Sequence, residues 1–156
     1  MSATLEDAIH TINIIKELTI AAPVVITFES ILAELGPEGE KPDGHGNSAP
    51  FPMILEPWPG GRWFRDTGNN FGHFWGHVQV IKPPTLLEIC GPMFMSYPAT
   101  NFIQYKLAPS GSGTLLTLTH RALGFIPEDH RKGVHIGWEF GLNKIRQLAE
   151  GRVHKR

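Results

Sequence analysis

The stretch Pro127-Glu-Asp-His-Arg-Lys-Gly-Val-His-Ile-Gly-Trp-Glu-Phe-Gly-Leu-Asn-Lys-Ile-Arg-Gln-Leu-Ala-Glu150 decides how the rest of the chain is read. Its apolar residues fall at Val134, Trp138, Leu142 (beside Gly141), Ile145 and Leu148-Ala149, the i, i+4, i+7/8 stripe of an amphipathic helix. Pro127 suits a helix start, where its missing N–H costs little. Glu128 and Asp129 stand at the positive end of the helix dipole, and Arg146 and Arg152 toward the negative end. The spacing therefore predicts one long helix closing the chain, and its apolar stripe requires a surface to cover it.

That surface is readable upstream. Gly113-Thr-Leu-Leu-Thr-Leu-Thr-His-Arg121 alternates at the period of a half-buried strand. Similar runs lie near 53–58, 62–66, 71–82, 85–90 and 100–108. Pro59-Gly60-Gly61, Gly68-Asn69-Asn70, Pro83-Pro84 and Pro109-Ser-Gly-Ser-Gly113 separate them with the turn chemistry that joins antiparallel neighbours. Near the start, Ile12, Ile14, Leu18 and Ile20 share one face of a strand over 11–20, with Lys16 as the exception, and a helix follows from Ala22-Pro23 to about Leu35. Twelve of the 26 residues from Gly36 to Gly61 are Gly or Pro, so this region reads as a long loop, a lid or a mobile segment. The elements compose one α+β domain, residues 1–156 with a core over about 11–151. In it a curved antiparallel sheet buries one face against the long C-terminal helix.

Composition bounds the function. The 156 residues carry 14 Lys+Arg against 15 Asp+Glu, a formal charge of −1, so neither a nucleic-acid nor an anionic-membrane surface is expected. With 41% hydrophobic and 19% charged residues the chain can build a sizeable core. The single cysteine, Cys90, excludes an internal disulfide and a multi-cysteine zinc site, and no basic residue within four positions would activate its thiol. The N-terminus lacks the pattern of a secretory signal, and no apolar run approaches the ~18–20 residues needed to span a bilayer. A cytoplasmic protein without metal or cofactor is the expectation.

A curved sheet around a helix leaves room for a small molecule between them. Strand alternation points Phe74, Gly76, Val78 and Val80 inward from 72–80, Leu87 and Ile89 from 86–90, Ile103, Tyr105 and Leu107 from 101–107, and Leu116, Leu118 and His120 from 114–120. Trp63, Met93, Phe94, Met95 and Trp138 add aromatic and thioether groups that could wall such a space or simply pack the core. The expected cavity residues are thus Trp63, Phe74, Met93, Met95, Ile103, Tyr105, Leu118, His120 and Trp138. The same alternation turns Trp75 outward between His73 and His77, an exposed aromatic that a homodimer could cover.

Several runs together resemble a known family: Pro59-Gly60-Gly61-Arg62-Trp63, Gly76-His-Val-Gln-Val-Ile-Lys-Pro-Pro-Thr-Leu-Leu-Glu88, Gly113 to Arg121, and Gly137-Trp138 with Leu142. They look like the START/birch-pollen-allergen-like (SRPBCC) superfamily, in the branch similar to the heat-shock chaperone ATPase activator homologues. The resemblance spans about Thr11 to Gly151 and implies a helix-grip fold with a hydrophobic cavity. The chaperone activators carry a further N-terminal domain that this chain, with its first strand at about residue 11, has no room for, so a co-chaperone role ranks behind the others. The family's motifs are turns and core strands, informative about fold and silent about activity.

Among candidate chemical groups, His73 and His77 are four apart on a strand, about 13 Å, too far for one metal ion, and face away from the core. His120 points inward near the opening of the final helix. It could serve as a general base, or be a buried histidine bonded to Glu128, Asp129 or a backbone carbonyl, and the second role is the expected one. Tyr105 could place its hydroxyl in the cavity or be a core tyrosine with its tip satisfied. Arg62 and Arg65 could meet a ligand carboxylate, and His130, Arg131, Lys132 and His135 form a modest basic patch that reads as a solvated face. Two function classes follow. The first is a binding module that carries or senses a small hydrophobic molecule. The alternative is a cyclase, dehydratase or hydrolase acting on an aromatic or polyketide-like substrate, with His120 as acid/base and Tyr105 as hydrogen-bond donor.

Overall fold

The structure, a computed structural model, describes residues 7–40, 53–93 and 96–155. Strand β1 (His10–Ile20) leads into helix α1 (Val24–Leu35), and a 3-10 turn follows at Pro37–Glu40. Strands β2 (Met53–Leu55), β3 (Arg62–Gly68), β4 (Phe71–Lys82), β5 (Leu86–Gly91), β6 (Ala99–Ser110) and β7 (Gly113–Gly124) come next, and helix α2 (Glu128–Val153) closes the chain. The seven strands form one antiparallel sheet in the order β1-β7-β6-β5-β4-β3-β2. Consecutive strands neighbour one another except that β1 returns to pair with β7. No described helix is long and apolar enough to cross a membrane.

The order of elements follows the sequence expectation, with three differences. The strand expected at 53–58 stops at Leu55; Glu56 still donates its N–H to the Arg62 carbonyl at 2.9 Å, and its carboxylate accepts from the backbone N–H and the guanidinium of Arg62 at 2.8–2.9 Å, which clamps the following turn. Among the described residues, the Gly/Pro-rich region contributes three to the sheet, at its edge, as expected of a segment with few ladder donors. Residues 41–52 of the loop expected at 36–61 lie outside the described residues.

The third difference is in β4. Phe64 pairs with Phe74 while Trp63 pairs with Gly76, so Trp75 is an extra residue bulged out of the β3–β4 ladder. The bulge inverts the alternation. Phe74, expected in the cavity, is 42% exposed on the outer face, and Trp75 packs half-buried against the core. With Trp75 turned in, the reason for expecting a homodimer over it falls away. A second shift, at Gln79, leaves Val80 half-buried and turns Ile81 to the core in its place.

The apolar interior has two parts. The larger joins Ile20, Phe28, Ile31, Leu87, Ile89, Leu107, Leu116 and Leu118 of the sheet and α1 to Leu142, Ile145 and Ala149 of α2. The smaller joins Ile12, Ile14, Ala122 and Ile126 to Val134 near the start of α2. Polar contacts fasten the C-terminal half of α2 to the β1–α1 corner. Glu150 Oε2 accepts from the Ala21 N–H at 2.9 Å, and Arg146 donates to the Thr19 carbonyl at 3.1 Å. Lys16, the exception on β1, reaches Glu139 of α2 at 3.4 Å. Between Val134 and Leu142 no residue of α2 is fully buried, and there the helix stands over a cavity.

Candidate functional site

The cavity measures about 470 Å³, within the ~300–1,000 Å³ range of small-molecule sites. The end of α1, the inner face of the sheet and the N-terminal half of α2 line it. Its sheet wall is built on indoles. Trp63 of β3 donates its Nε1–H to the Leu35 carbonyl at 2.7 Å, which ties the strand to the last turn of α1. Trp75 meets it edge-on, with ring centroids 5.0 Å apart and planes at 79°. Met53, Met93, Ile103 and Leu35 complete an apolar surface of unbranched and aromatic groups.

A chain of hydrogen bonds borders the other side, and its protons can be placed. Asn101 is 2% exposed, and its side-chain NH2 donates to the Gly91 and Pro92 carbonyls at 3.2 and 3.4 Å, which leaves Oδ1 as the acceptor facing His120. His120 Nε2 lies 2.7 Å from that oxygen and must carry the proton. His120 Nδ1 then has only a lone pair, and it accepts the Trp138 indole N–H at 2.8 Å. An indole N–H cannot accept, so the tautomer is determined. Burial, with His130 nearby, lowers the His120 pKa from 6.5 to about 4, and the ring is neutral at pH 7. Both ring nitrogens are engaged, and the partners are Asn101 and Trp138 rather than the expected Glu128, Asp129 or backbone carbonyl. A base with no free lone pair and a pKa near 4 is poorly placed to take a proton at neutral pH.

Tyr105 is fully buried in the wall, its ring edge-on to Trp138 with centroids 6.3 Å apart. Its hydroxyl has no hydrogen-bond partner among the described residues. Burial, and secondarily the Glu34 carboxylate, push its pKa well above 10, so it keeps its proton and is a donor.

The helix wall carries few side chains. Gly133, Gly137 and Gly141 recur every fourth residue on α2 and all line the cavity. A Cβ at Gly133 or Gly137 would meet no atom within 4 Å, and one at Gly141 would lie 3.4 Å from Glu34 Oε1. Neither a positive φ nor close packing explains these glycines, each about 1 kcal/mol less favourable than alanine in a helix interior.

Of the residues expected around the cavity, Trp63, Met93, Ile103, Tyr105, His120 and Trp138 line it. Leu118 is fully buried in the main core instead, Phe74 is on the outer face, and Met95, with Phe94, lies outside the described residues. Sequence reasoning missed Trp75 because a bulge is invisible to alternation. It also missed Glu34, Met53 and the glycines, which a binary apolar pattern passes over. His130, read as part of a solvated basic patch, lines the cavity and packs edge-on against Tyr97 with centroids 5.6 Å apart. Arg62 is committed to Glu56 at 2.9 Å and stacks over Phe64, and no Lys or Arg is among the described residues lining the cavity. His73 and His77 are exposed on β4.

Comparison with known proteins bears on this geometry. No curated protein matches the sequence. Among solved structures the chain is similar to an uncharacterised protein from Rhizobium leguminosarum, with TM-score 0.67 and 16% identity over 92% of this chain and 97% of that one. It is similar to CalU16 from Micromonospora echinospora, with TM-score 0.60 and 19% identity over 98% and 90% of the two chains. It also resembles the di-domain ARO/CYC StfQ from the steffimycin biosynthetic pathway, with TM-score 0.64 and 14% identity over 92% of this chain and 52% of that one. Identities this low establish the fold, the helix-grip arrangement of sheet and C-terminal helix. The sequence model of the family described as activator of Hsp90 ATPase homolog 1-like protein matches residues 50–150, from the edge strand through α2. The chain therefore belongs to the activator of Hsp90 ATPase homolog 1-like family, within the helix-grip superfamily.

Proposed function

We propose that the protein binds a small hydrophobic molecule in the cavity under the N-terminal half of α2, as a carrier or sensor. The observation that carries this reading is the cavity itself, about 470 Å³ walled by three indoles and two thioethers among the described residues. A space of that size left by ordinary packing would sacrifice dispersion contacts on every wall. A bound apolar molecule restores them.

Catalysis on an aromatic or polyketide-like substrate is the second reading, and the likeness to an ARO/CYC protein favours it. Weighing against it is the engagement of both His120 nitrogens, which leaves the cavity wall without a free neutral-pH base on that residue. Mass spectrometry of the purified protein, native and then denatured and extracted, tests the proposal. The expected result is one released apolar compound near one per chain. Incubating the emptied protein with that compound then separates the readings. Recovery unchanged supports a carrier or sensor, and recovery as a different compound supports an enzyme. An empty protein that also takes up no apolar probe overturns the proposal.

A further inference from the structure

We infer that the Trp138–His120–Asn101 chain is an acid-operated latch on this cavity: a second proton on His120 breaks its bond to Trp138, frees the N-terminal half of α2 and releases the bound molecule. This rests on the ligand-binding reading above and adds the condition under which the ligand leaves.

The bond geometry leaves one response to a proton. His120 Nε2 already holds a hydrogen directed at Asn101 Oδ1, 2.7 Å away, and the Gly91 and Pro92 carbonyls keep the Asn101 amide in that orientation. A second proton can enter only at Nδ1, the atom that accepts the Trp138 indole N–H at 2.8 Å. Two N–H groups would then face each other with no acceptor between them. Turning the imidazolium over does not help, because both of its nitrogens are donors, and the indole nitrogen has no acceptor to offer in exchange. The contact must open.

The position of Trp138 carries this local event to the cavity. Of the described residues that line the cavity from α2, three are glycines, and Trp138 brings the largest side chain. It packs against both apolar clusters and meets Tyr105 and His120 edge-on. The span 135–141 is otherwise tied to the sheet through the Lys16–Glu139 ion pair at the surface, 3.4 Å long, and such pairs contribute little. Losing the His120 bond therefore loosens the helix where it forms the cavity wall.

The surroundings give an imidazolium no support while the latch is closed. His120 is 2% exposed, with Ile14 of β1 and Ile103 of β6 opposite it on the flanking strands. Tyr105 of β6 keeps its proton and is neutral. Glu34 of α1 lines the cavity and acts on Tyr105. From α2, His130 lines the same cavity and repels a charge on His120, Arg131 is bonded to the Ile126 carbonyl, and Glu128 and Asp129 are exposed. Opening lets water reach the ring, so its pKa returns from about 4 toward the ordinary 6.5. The open state then binds the proton more readily, and a fall in pH between those values shifts the population toward it.

Stopped-flow dissociation of N-phenyl-1-naphthylamine, an uncharged dye that fluoresces in apolar surroundings, tests this at pH 7 and pH 5, with circular dichroism confirming the fold at both. The wild type is expected to release the dye about tenfold or more faster at pH 5, since the open state alone binds the proton across that interval. His120→Gln keeps a donor and an acceptor but takes up no proton, and should release the dye at nearly one rate at both. Trp138→Phe has no N–H to lose, and should release it faster than the wild type at pH 7 with a shallower pH dependence. Solvent exchange of the Trp138 indole N–H, followed by NMR in the empty wild type and corrected for its intrinsic pH dependence, should show protection falling by a similar factor, with neither a variant nor a dye. A wild-type release rate that changes by less than about twofold, equal acceleration in His120→Gln, or unchanged indole protection overturns the latch and leaves the ligand-binding reading standing. A wild type that takes up no dye at pH 7 counts against the ligand-binding reading, and the indole exchange then decides the latch by itself.

Discussion

His120 shows how burial converts a group suited to proton transfer into a fixed connector. Its neutral form is held by a donor on one side, Trp138, and an oriented amide on the other, Asn101. The consequence for stability has a definite sign. The unfolded chain protonates this ring at 6.5 and the folded chain at about 4. Above 6.5 both states are neutral and the contribution is complete. Between 6.5 and 4 only the unfolded state binds the proton, so stability falls with falling pH, by about 3 kcal/mol in all. His130, whose pKa burial also lowers, adds a change of the same sign. Urea midpoints measured from pH 4 to 7 should decline less steeply for His120→Gln than for the wild type, and equal slopes would show that His120 titrates alike in both states. Alternation alone shows that His120 points inward. It does not show its partners, because Asn101 and Trp138 are 19 and 18 residues away and no local spacing links them.

Elements add a distinction between two kinds of glycine that look alike in the sequence. Gly76 and Gly91 sit where β4 and β5 approach most closely. A Cβ on Gly91 would stand 2.4 Å from the Gly76 Cα and 2.5 Å from the Trp75 carbonyl. Gly91→Ala must therefore push the strands apart, at about 2–3 kcal/mol, and thermal melting followed by circular dichroism should show a Tm lower by roughly 5–10 °C. Gly133→Ala, on α2, should raise Tm instead. If both substitutions moved Tm in one direction, the division would be wrong. The strand periods were readable for every element of the sheet because apolar and polar residues alternate along them. The bulge at Trp75 was not, since it is produced by the pairing of β4 with β3 rather than by any residue of β4. One extra residue there exchanged Phe74 for Trp75 in the interior.

Across the whole molecule, α2 divides into a half packed on the main core and a half that stands over the cavity on fewer buried residues. Leu142, Ile145 and Ala149, with Arg146 and Glu150, anchor the C-terminal half, whereas residues 133–141 span the cavity. Hydrogen exchange should be faster over 128–141 than over 142–153 in the empty protein, and uniform protection would count against this division. A ligand at about 100 times its Kd should add about 2.7 kcal/mol and raise Tm by on the order of 5–10 °C, with the gain in protection concentrated in 128–141. The helix-grip architecture was legible from the order of turns and periods, since each element must bury one face. The polar side of the cavity was not, because it is assembled from α1, β6, β7 and α2. The indoles carry one more consequence. The chain has four tryptophans, of which Trp63, Trp75 and Trp138 line the cavity and Trp58 is exposed on a turn. Most of the intrinsic emission therefore arises around a single space, and energy transfer from these chromophores to an absorbing guest would report occupancy optically, with no label attached.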